Sequence, residues 1–324
     1  MHMRSSSGLW LVLAAVGSAG VAGCGSVASS NDGGGMDAAP PTVAEACGQF
    51  ASTLCSRLNG CAPYALQIFY GDMTTCESRV TLGCTRDLEV PDTNQTTTDR
   101  ATCARDASNA TCDDLVANIF PASCQIKPGA RVNGEGCGSS WQCASTHCEK
   151  TDGDCGVCAP RAAANGACTV DEGCTVGLVC AAQKCVAPGA MGAACGDAAP
   201  CRANLYCSAT SNTCATPLAL GASCAGDTGG CDLRKGVSCN FLSAAPKCET
   251  VAAAKAGGAC GIVNGTLTLC IALDACPGAT FTAPGACVAP AGDGMACNND
   301  AHCLAPANCV GGLCRLPSTG SCAK

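Results

Sequence analysis

The sequence predicts a small disulfide-stapled all-α domain followed by small disulfide-rich modules in tandem, with little regular secondary structure in the C-terminal array. Three observations predict it. Cysteine supplies 35 of the 324 residues while only ten are aromatic, too few large side chains for one broad core, so many small cross-linked units must take its place. Capping signatures and apolar residues at helical spacing fall within residues 42–124. Beyond them the cysteines recur in groups of four, and the gaps of one group return in another 129 residues later.

Residues 1–23 read as a lipoprotein signal peptide. Arg4 precedes GLWLVLAAVGSAGVA, an apolar stretch interrupted by Gly17, Ser18 and Gly20 and shorter than the about 20 residues that a membrane span needs. The stretch ends in Val21-Ala22-Gly23-Cys24, which resembles the lipobox of bacterial lipoproteins, where the cysteine thiol takes a diacylglyceryl group. Cys24 is therefore the candidate lipidation site. Parity agrees, because setting Cys24 aside leaves 34 cysteines that can pair completely, whereas an ordinary signal peptide leaves one thiol over.

Residues 24–41, rich in Gly, Ser, Asp and Pro, read as a flexible tether with an r.m.s. reach of about 20–25 Å. Without Arg4 the mature chain has 17 basic against 25 acidic residues, a net charge of −8, and it has no basic run. Nucleic acid is not an expected partner, and membrane attachment is expected through the N-terminal lipid.

The helical eight-cysteine domain spans 42–124. Thr42 and Glu45 form a capping box ahead of Val43, Cys47, Phe50, Leu54 and Leu58, one face of a helix expected to stop at Asn59-Gly60. Thr74 with Glu77 repeats the signature before a helix ending at Pro91, and Thr111 with Asp114 is a third case. Phe50, Tyr64, Phe69, Tyr70 and Phe120 give this segment half of all the aromatics, enough for a small core. Cysteines 47, 55, 61, 76, 84, 103, 112 and 124 are placed to staple neighbouring helices, with the pairing open. Residues 125–136 read as a linker.

The array occupies 137–324 in about six units. Cys168, Cys174, Cys180 and Cys185 have gaps of five, five and four, as do Cys297, Cys303, Cys309 and Cys314; Cys195, Cys201, Cys207 and Cys214 differ only in the last gap. Units four (Cys224, Cys231, Cys239, Cys248) and five (Cys260, Cys270, Cys276, Cys287) are looser. Unit one (Cys137, Cys143, Cys148, Cys155, Cys158) has an extra cysteine, and Cys322 stands alone. Each unit opens on GEGC, NGAC, GAAC, GASC, GGAC or GMAC, so a Gly, or once Asn165, precedes the first cysteine by three residues. Those two residue types point to a backbone position with positive φ.

Over residues 137–314 this pattern of G-x-x-C, C-x5-C and Leu-x-Cys (Leu178-Val179-Cys180, Leu205-Tyr206-Cys207) resembles the Dickkopf N-terminal type of cysteine-rich module. It is more closely similar to the cysteine-rich repeat surface lipoproteins of myxobacterial type, which carry similar helical eight-cysteine segments ahead of such repeats. The resemblance implies a lipid-anchored protein of the bacterial cell envelope, at the outer membrane or cell surface. The receptor binding of Dickkopf proteins does not carry over to a lipobox protein, and gaps of nine and ten set unit five apart from the pattern.

Zinc is not expected, because exported thiols are oxidised and C-x2-C pairs with histidines are lacking. Cys155-Gly156-Val157-Cys158 has no strand-helix context for redox work, so its cysteines read as structural. His147 and His302 adjoin cysteines and read as exposed loop residues rather than general bases, and no G-x-S-x-G elbow occurs. No metal, cofactor or catalytic residue is expected. Of the three pairings that four cysteines allow, first with third and second with fourth is adopted for Cys168, Cys174, Cys180 and Cys185. Each closed loop of roughly 13 residues then contributes on the order of 3 kcal/mol by restricting the unfolded chain.

The function expected is a non-enzymatic surface lipoprotein, a disulfide-rich scaffold or stalk that offers loops for binding or adhesion to an extracellular or envelope protein or glycan. The alternative is a protease-inhibitor-like or toxin-like disulfide module, with the clamped loop around Lys184 as its example. Candidate binding residues are those in the inserted gaps of units four and five: Phe241 and Phe281, with Ile262, Val263 and Leu267 flanking Asn264-Gly265, a type I′ hairpin signal.

Overall fold

A computed structural model describes residues 39–116, 119–150, 155–273, 276–280, 283–298, 303–316 and 322. The signal peptide, Cys24, most of the tether, Phe281 and His302 lie outside the described residues. The N-terminal part is helical and the C-terminal part is built of small strand pairs and disulfides. Among the described residues no helix is long and apolar enough to cross a membrane.

Helix α1 (Val43–Cys61) starts at the expected capping box, with the Glu45 amide donating to Thr42 Oγ1 and the Thr42 amide to Glu45 Oε2. It runs through Asn59-Gly60 to Cys61, since Pro63 then opens α2 (Pro63–Tyr70) at a position where its missing N–H costs nothing. α3 (Met73–Glu89) begins earlier than the sequence suggests. Gly71, at φ +83°, ends α2, and Asp72 takes the capping place, its carboxylate accepting from the Thr75 amide at 2.7 Å. Thr74 and Glu77 therefore lie inside the helix. Thr96 and Asp99 form a capping box for α4 (Thr97–Ala107) that the sequence reading missed, and Thr111 accepts from Asp114 N at the start of α5 (Cys112–Val116).

Cys47–Cys84 and Cys55–Cys76 staple α1 to α3, Cys61–Cys112 ties α1 to α5, and Cys103–Cys124 fastens α4 to the turn after α5. Around them Leu54, Ala107, Leu115 and Phe120 form one buried cluster, and Leu66 and Tyr70 another. Core and staples serve the same end here, since so small an apolar cluster leaves the unfolded chain to be restrained by cross-links.

In the array every four-cysteine unit shows the same pairing, first with third and second with fourth. Unit two has Cys168–Cys180 and Cys174–Cys185, as expected. Units three to six follow, and unit one obeys it once Cys155 is set aside, with Cys137–Cys148 and Cys143–Cys158. Within a unit the two bridges touch, with sulfurs of three cysteines inside 4.8 Å of one another in units one to five. These sulfur clusters offer no thiolate to a metal because each sulfur is already bonded.

The backbone repeats as well. Gly134, Asn165, Gly192, Gly221, Gly257 and Gly294 all have φ between +66° and +90°. Each donates its N–H to the carbonyl of the unit's last cysteine at 2.7–2.8 Å, and that cysteine's N–H returns to the next residue of the turn at 2.8–2.9 Å. A Cβ disfavours this left-handed backbone, so Gly recurs and Asn is its one substitute. A two-residue hairpin follows in units two and six, at Ala182-Gln183 and Gly311-Gly312.

The array does not extend as a free stalk. Unit four presents Gly236 so close to the Tyr64 ring that a Cβ there would come within 2.8 Å of it. Unit five sets Ala272 against Gly71, and Tyr64 Oη donates to Ala252 O at 3.5 Å. Unit six is held on α3 by Arg79, which donates to both oxygens of Asp293 and to the carbonyls of Leu304 and Ala305. Cys155–Cys322 then joins unit one to the end of the chain across 167 residues. The helical domain is a hub and the array closes around it.

Residues 125–136, read as a linker, form a seam. Lys127 pairs with Asp99 and Arg131 with Asp92, Asn94 Nδ2 donates to Pro128 O, and the amides of Gly129 and Arg131 donate into unit one at Cys143 and Gln142. Once its donors meet acceptors on both sides, such a stretch has no freedom left to act as a hinge.

Candidate binding surface

Helix α2 carries the sequence PYALQIFY, apolar on nearly every side. Its Leu66 and Tyr70 pack into the hub beside Cys55 and Cys76, while Tyr64 faces units four and five. Burial pushes the phenols of Tyr64 and Tyr70 well above their ordinary pKa, so both stay protonated. Ile68, on the same helix, is half-buried and looks onto unit five.

Unit five departs from its neighbours in that its strands Ala259–Val263 and Thr266–Cys270 form a longer hairpin. Asn264 and Gly265 have φ of +51° and +82°, the type I′ turn expected from the sequence. Ile262 pairs with Leu267 and Val263 with Thr266. Strand Ala252–Ala254 adds in parallel and Gly285–Ala286 antiparallel, giving a four-stranded sheet. Between this sheet and Ile68 lies a cleft of about 300 Å3 lined also by Gly261, Thr268, Leu269, Cys270, Cys276 and Ala279. The lining is mostly apolar, and its size suits one or two apolar side chains rather than a large ligand.

Unit four supplies a second feature. Residues 240–247 link strands Val237–Cys239 and Cys248–Thr250 where units two and six need two residues. Phe241 and Leu242 are 47% and 50% exposed at its tip. The loop is held from below: Asn240 Oδ1 accepts from the Leu242 amide, Asn240 Nδ2 donates to Glu249, and the flanking Cys239 and Cys248 are both bridged.

The structure thus brings together Ile262, Val263 and Leu267 on one hairpin, where all three are half-buried. Phe241 sits apart, outside the lining of the cleft. The sequence reading missed Ile68, Thr268 and the cleft itself. Its signal was present in PYALQIFY, because a helix apolar all round must be covered on more than one side.

Lys184 does not offer an inhibitor-like loop. It follows a tight turn at Ala182 and Gln183, both at positive φ, and its strand is paired with Ala181 on one side and Ala167 on the other. A protease cleft pairs with extended backbone whose own donors and acceptors are free. His147 is also corrected: it is 7% exposed, beside Gly173 of unit two, and burial with the nearby Arg161 lowers its pKa, so it stays neutral at the unit junction.

One charged group stands out in the seam. Arg100 is 5% exposed, stacked between the rings of Phe50 at 4.6 Å and Trp141 at 5.0 Å, with no hydrogen-bond partner for Nε or Nη2. Burial pushes the nearby Asp87 carboxyl up to about 7, with Arg100 opposing the rise. The folded state therefore binds this proton more tightly than the unfolded state, so the stability from this group is complete below about pH 4 and lost as pH rises through about 7. Asp87→Asn should flatten that limb and raise stability near pH 8 by on the order of 2 kcal/mol, read as denaturant midpoints on either side of neutrality. Parallel pH profiles for the two proteins would contradict it.

Compared with protein-family models, with curated proteins and with solved structures, the chain matches none.

Proposed function

We propose that the chain is a non-enzymatic, lipid-anchored scaffold of the bacterial cell envelope, with its four-cysteine units as tandem copies of one disulfide module. The inserted loops of units four and five present its binding surface to an extracellular or envelope protein. One observation carries the anchor. Seventeen disulfides take up every cysteine except Cys24, so the one thiol left for lipid is the one at the end of VAGC. Protein is favoured over glycan as the partner because the cleft is mostly apolar and the exposed tip is Phe241-Leu242. A buried, neutral His147 and sulfurs bonded in pairs leave those groups without a catalytic part.

Cys24→Ser is expected to abolish fatty-acid labelling and release the protein from the membrane fraction, with all other cysteines still oxidised. Retained label and retained partitioning would refute the anchor. The released form then serves as bait for cross-linking on intact cells. Cutting 240–247 to a two-residue turn should remove the cross-linked product, and its persistence would move the contact elsewhere.

A further inference from the structure

Asn-Gly occurs four times, at Asn59-Gly60, Asn133-Gly134, Asn165-Gly166 and Asn264-Gly265. In this dipeptide the glycine amide nitrogen can attack the asparagine side-chain carbonyl. Hydroxide takes the N–H proton, an N–Cγ bond forms, and the Cγ–Nδ2 bond breaks as water protonates the departing nitrogen, so that ammonia leaves, hydroxide is regenerated and a five-membered imide remains. Water then opens the imide at either carbonyl to aspartate or isoaspartate. No oxidant or reductant is needed. The reaction requires the peptide plane between the two residues to turn and the amide to be free of other partners.

The fold separates the four sites on that requirement. Gly60 lies inside α1, where its amide belongs to the helix. The Gly134 amide donates to Cys158 O at 2.7 Å and the Gly166 amide to Ala163 O at 2.8 Å. Two of the three are fixed by the same turn that opens every unit. Gly265 differs, because it stands at the tip of a two-residue turn closed by the Val263 and Thr266 pair. Among the described residues neither its amide nor the Asn264 side chain has a hydrogen-bond partner, and both residues are exposed. A Cβ placed on Gly265 would meet nothing within 4 Å, so water and hydroxide reach the site freely.

We propose that Asn264 is a deamidation site of the folded protein, converted to aspartate and isoaspartate while Asn59, Asn133 and Asn165 are held as amides. Aspartate puts a negative charge at the tip of the hairpin whose Gly261 and Thr268 line the cleft. Isoaspartate adds a methylene to the backbone, which a two-residue turn cannot absorb without losing its register. The conversion stands independently of what the hairpin binds.

The test is peptide mapping of the full-length, oxidised protein during incubation at mildly alkaline pH, beside the same chain reduced and unfolded. The unfolded chain should convert all four sites at comparable rates. In the folded protein Asn264 should lose its amide about tenfold or more faster than the other three, since each of those must first break a backbone hydrogen bond by local opening. Asn133 or Asn165 converting first, or Asn264 surviving in the folded protein while it converts in the unfolded one, would overturn the assignment.

Discussion

Gly129→Ala is expected to destabilise the protein by about 3 kcal/mol and to expose the seam to trypsin at Arg131. Gly129 is buried, and a Cβ on it would overlap the backbone carbonyl of Gln142 and crowd that of Trp141. The obstacle is main chain, so no rotamer change relieves it. Nor can the Gln142 segment retreat easily. The Gln142 side chain is 1% exposed, with Oε1 accepting from Gly138 N and Nε2 donating to Pro91 O of the hub, and Trp141 covers Arg100. Pushing unit one away would also break the Gly129 amide bond to Cys143 O and the Arg131 amide bond to Gln142 O. Gly192→Ala is the control, because a Cβ there meets nothing within 4 Å and only the positive φ is penalised, at about 1–2 kcal/mol. Thermal midpoints and tryptic cleavage rates measure both. A Gly129→Ala protein with the wild-type midpoint and no new cleavage would mean that unit one is not fastened to the hub through this seam.

The contrast between that seam and the units marks where sequence is informative. Asn165 and the five equivalent glycines were legible because the sign of φ is a property of one residue and its missing or tolerant side chain. The Asn264-Gly265 turn and the Thr42 cap are equally local. The pairing of first with third cysteine and second with fourth, adopted from among three, is the one found in unit two. What failed was either a choice between adjacent polar residues or a long-range contact. Asp72 won the α3 cap over Thr74 because Gly71 had already ended α2, a fact set by the preceding helix. His147 was read as exposed because nothing nearby in sequence announces Gly173 of the next unit. Docking of units four to six on the hub left only an indirect trace, the surplus of apolar residues in α2. Unit one's extra cysteine and Cys322 had no partner assigned from sequence, and the structure joins Cys155 to Cys322. For the candidate site the hairpin and the Phe241 loop were read from insertion length, whereas the cleft needs Ile68, two hundred residues from its other wall.

Arg79→Ala removes a guanidinium that is 13% exposed and donates to Asp293 and to the carbonyls of Leu304 and Ala305, so those acceptors lose a charged donor. Hydrogen bonds to a charged group of this kind leave a deficit of about 3 kcal/mol when the donor is deleted. Yet Arg79→Ala alone should move unit six little. Cys155–Cys322 holds the end of the chain to unit one, and Pro306 still lies against Gly83 of α3, so the effective concentration of unit six at the hub stays high. Opening only the clasp, with Cys155→Ser and Cys322→Ser, should likewise be mild because Arg79 remains. Combining them should be far worse than additive, with amide protection in 303–309 falling by about a hundredfold as the full deficit is expressed. The acid limb gives an independent readout. Arg79 holds the Asp293 carboxyl below its ordinary pKa, so its contribution is present above the unfolded value and is lost as pH falls through the folded one. That loss should shrink in every protein lacking Arg79, where Arg86 alone still lowers the Asp293 carboxyl, whatever the state of the clasp. Additive losses of protection would show that the guanidinium and the bridge act on separate parts of the array, and wild-type protection in the combined variant would assign unit six to contacts such as Pro306 alone.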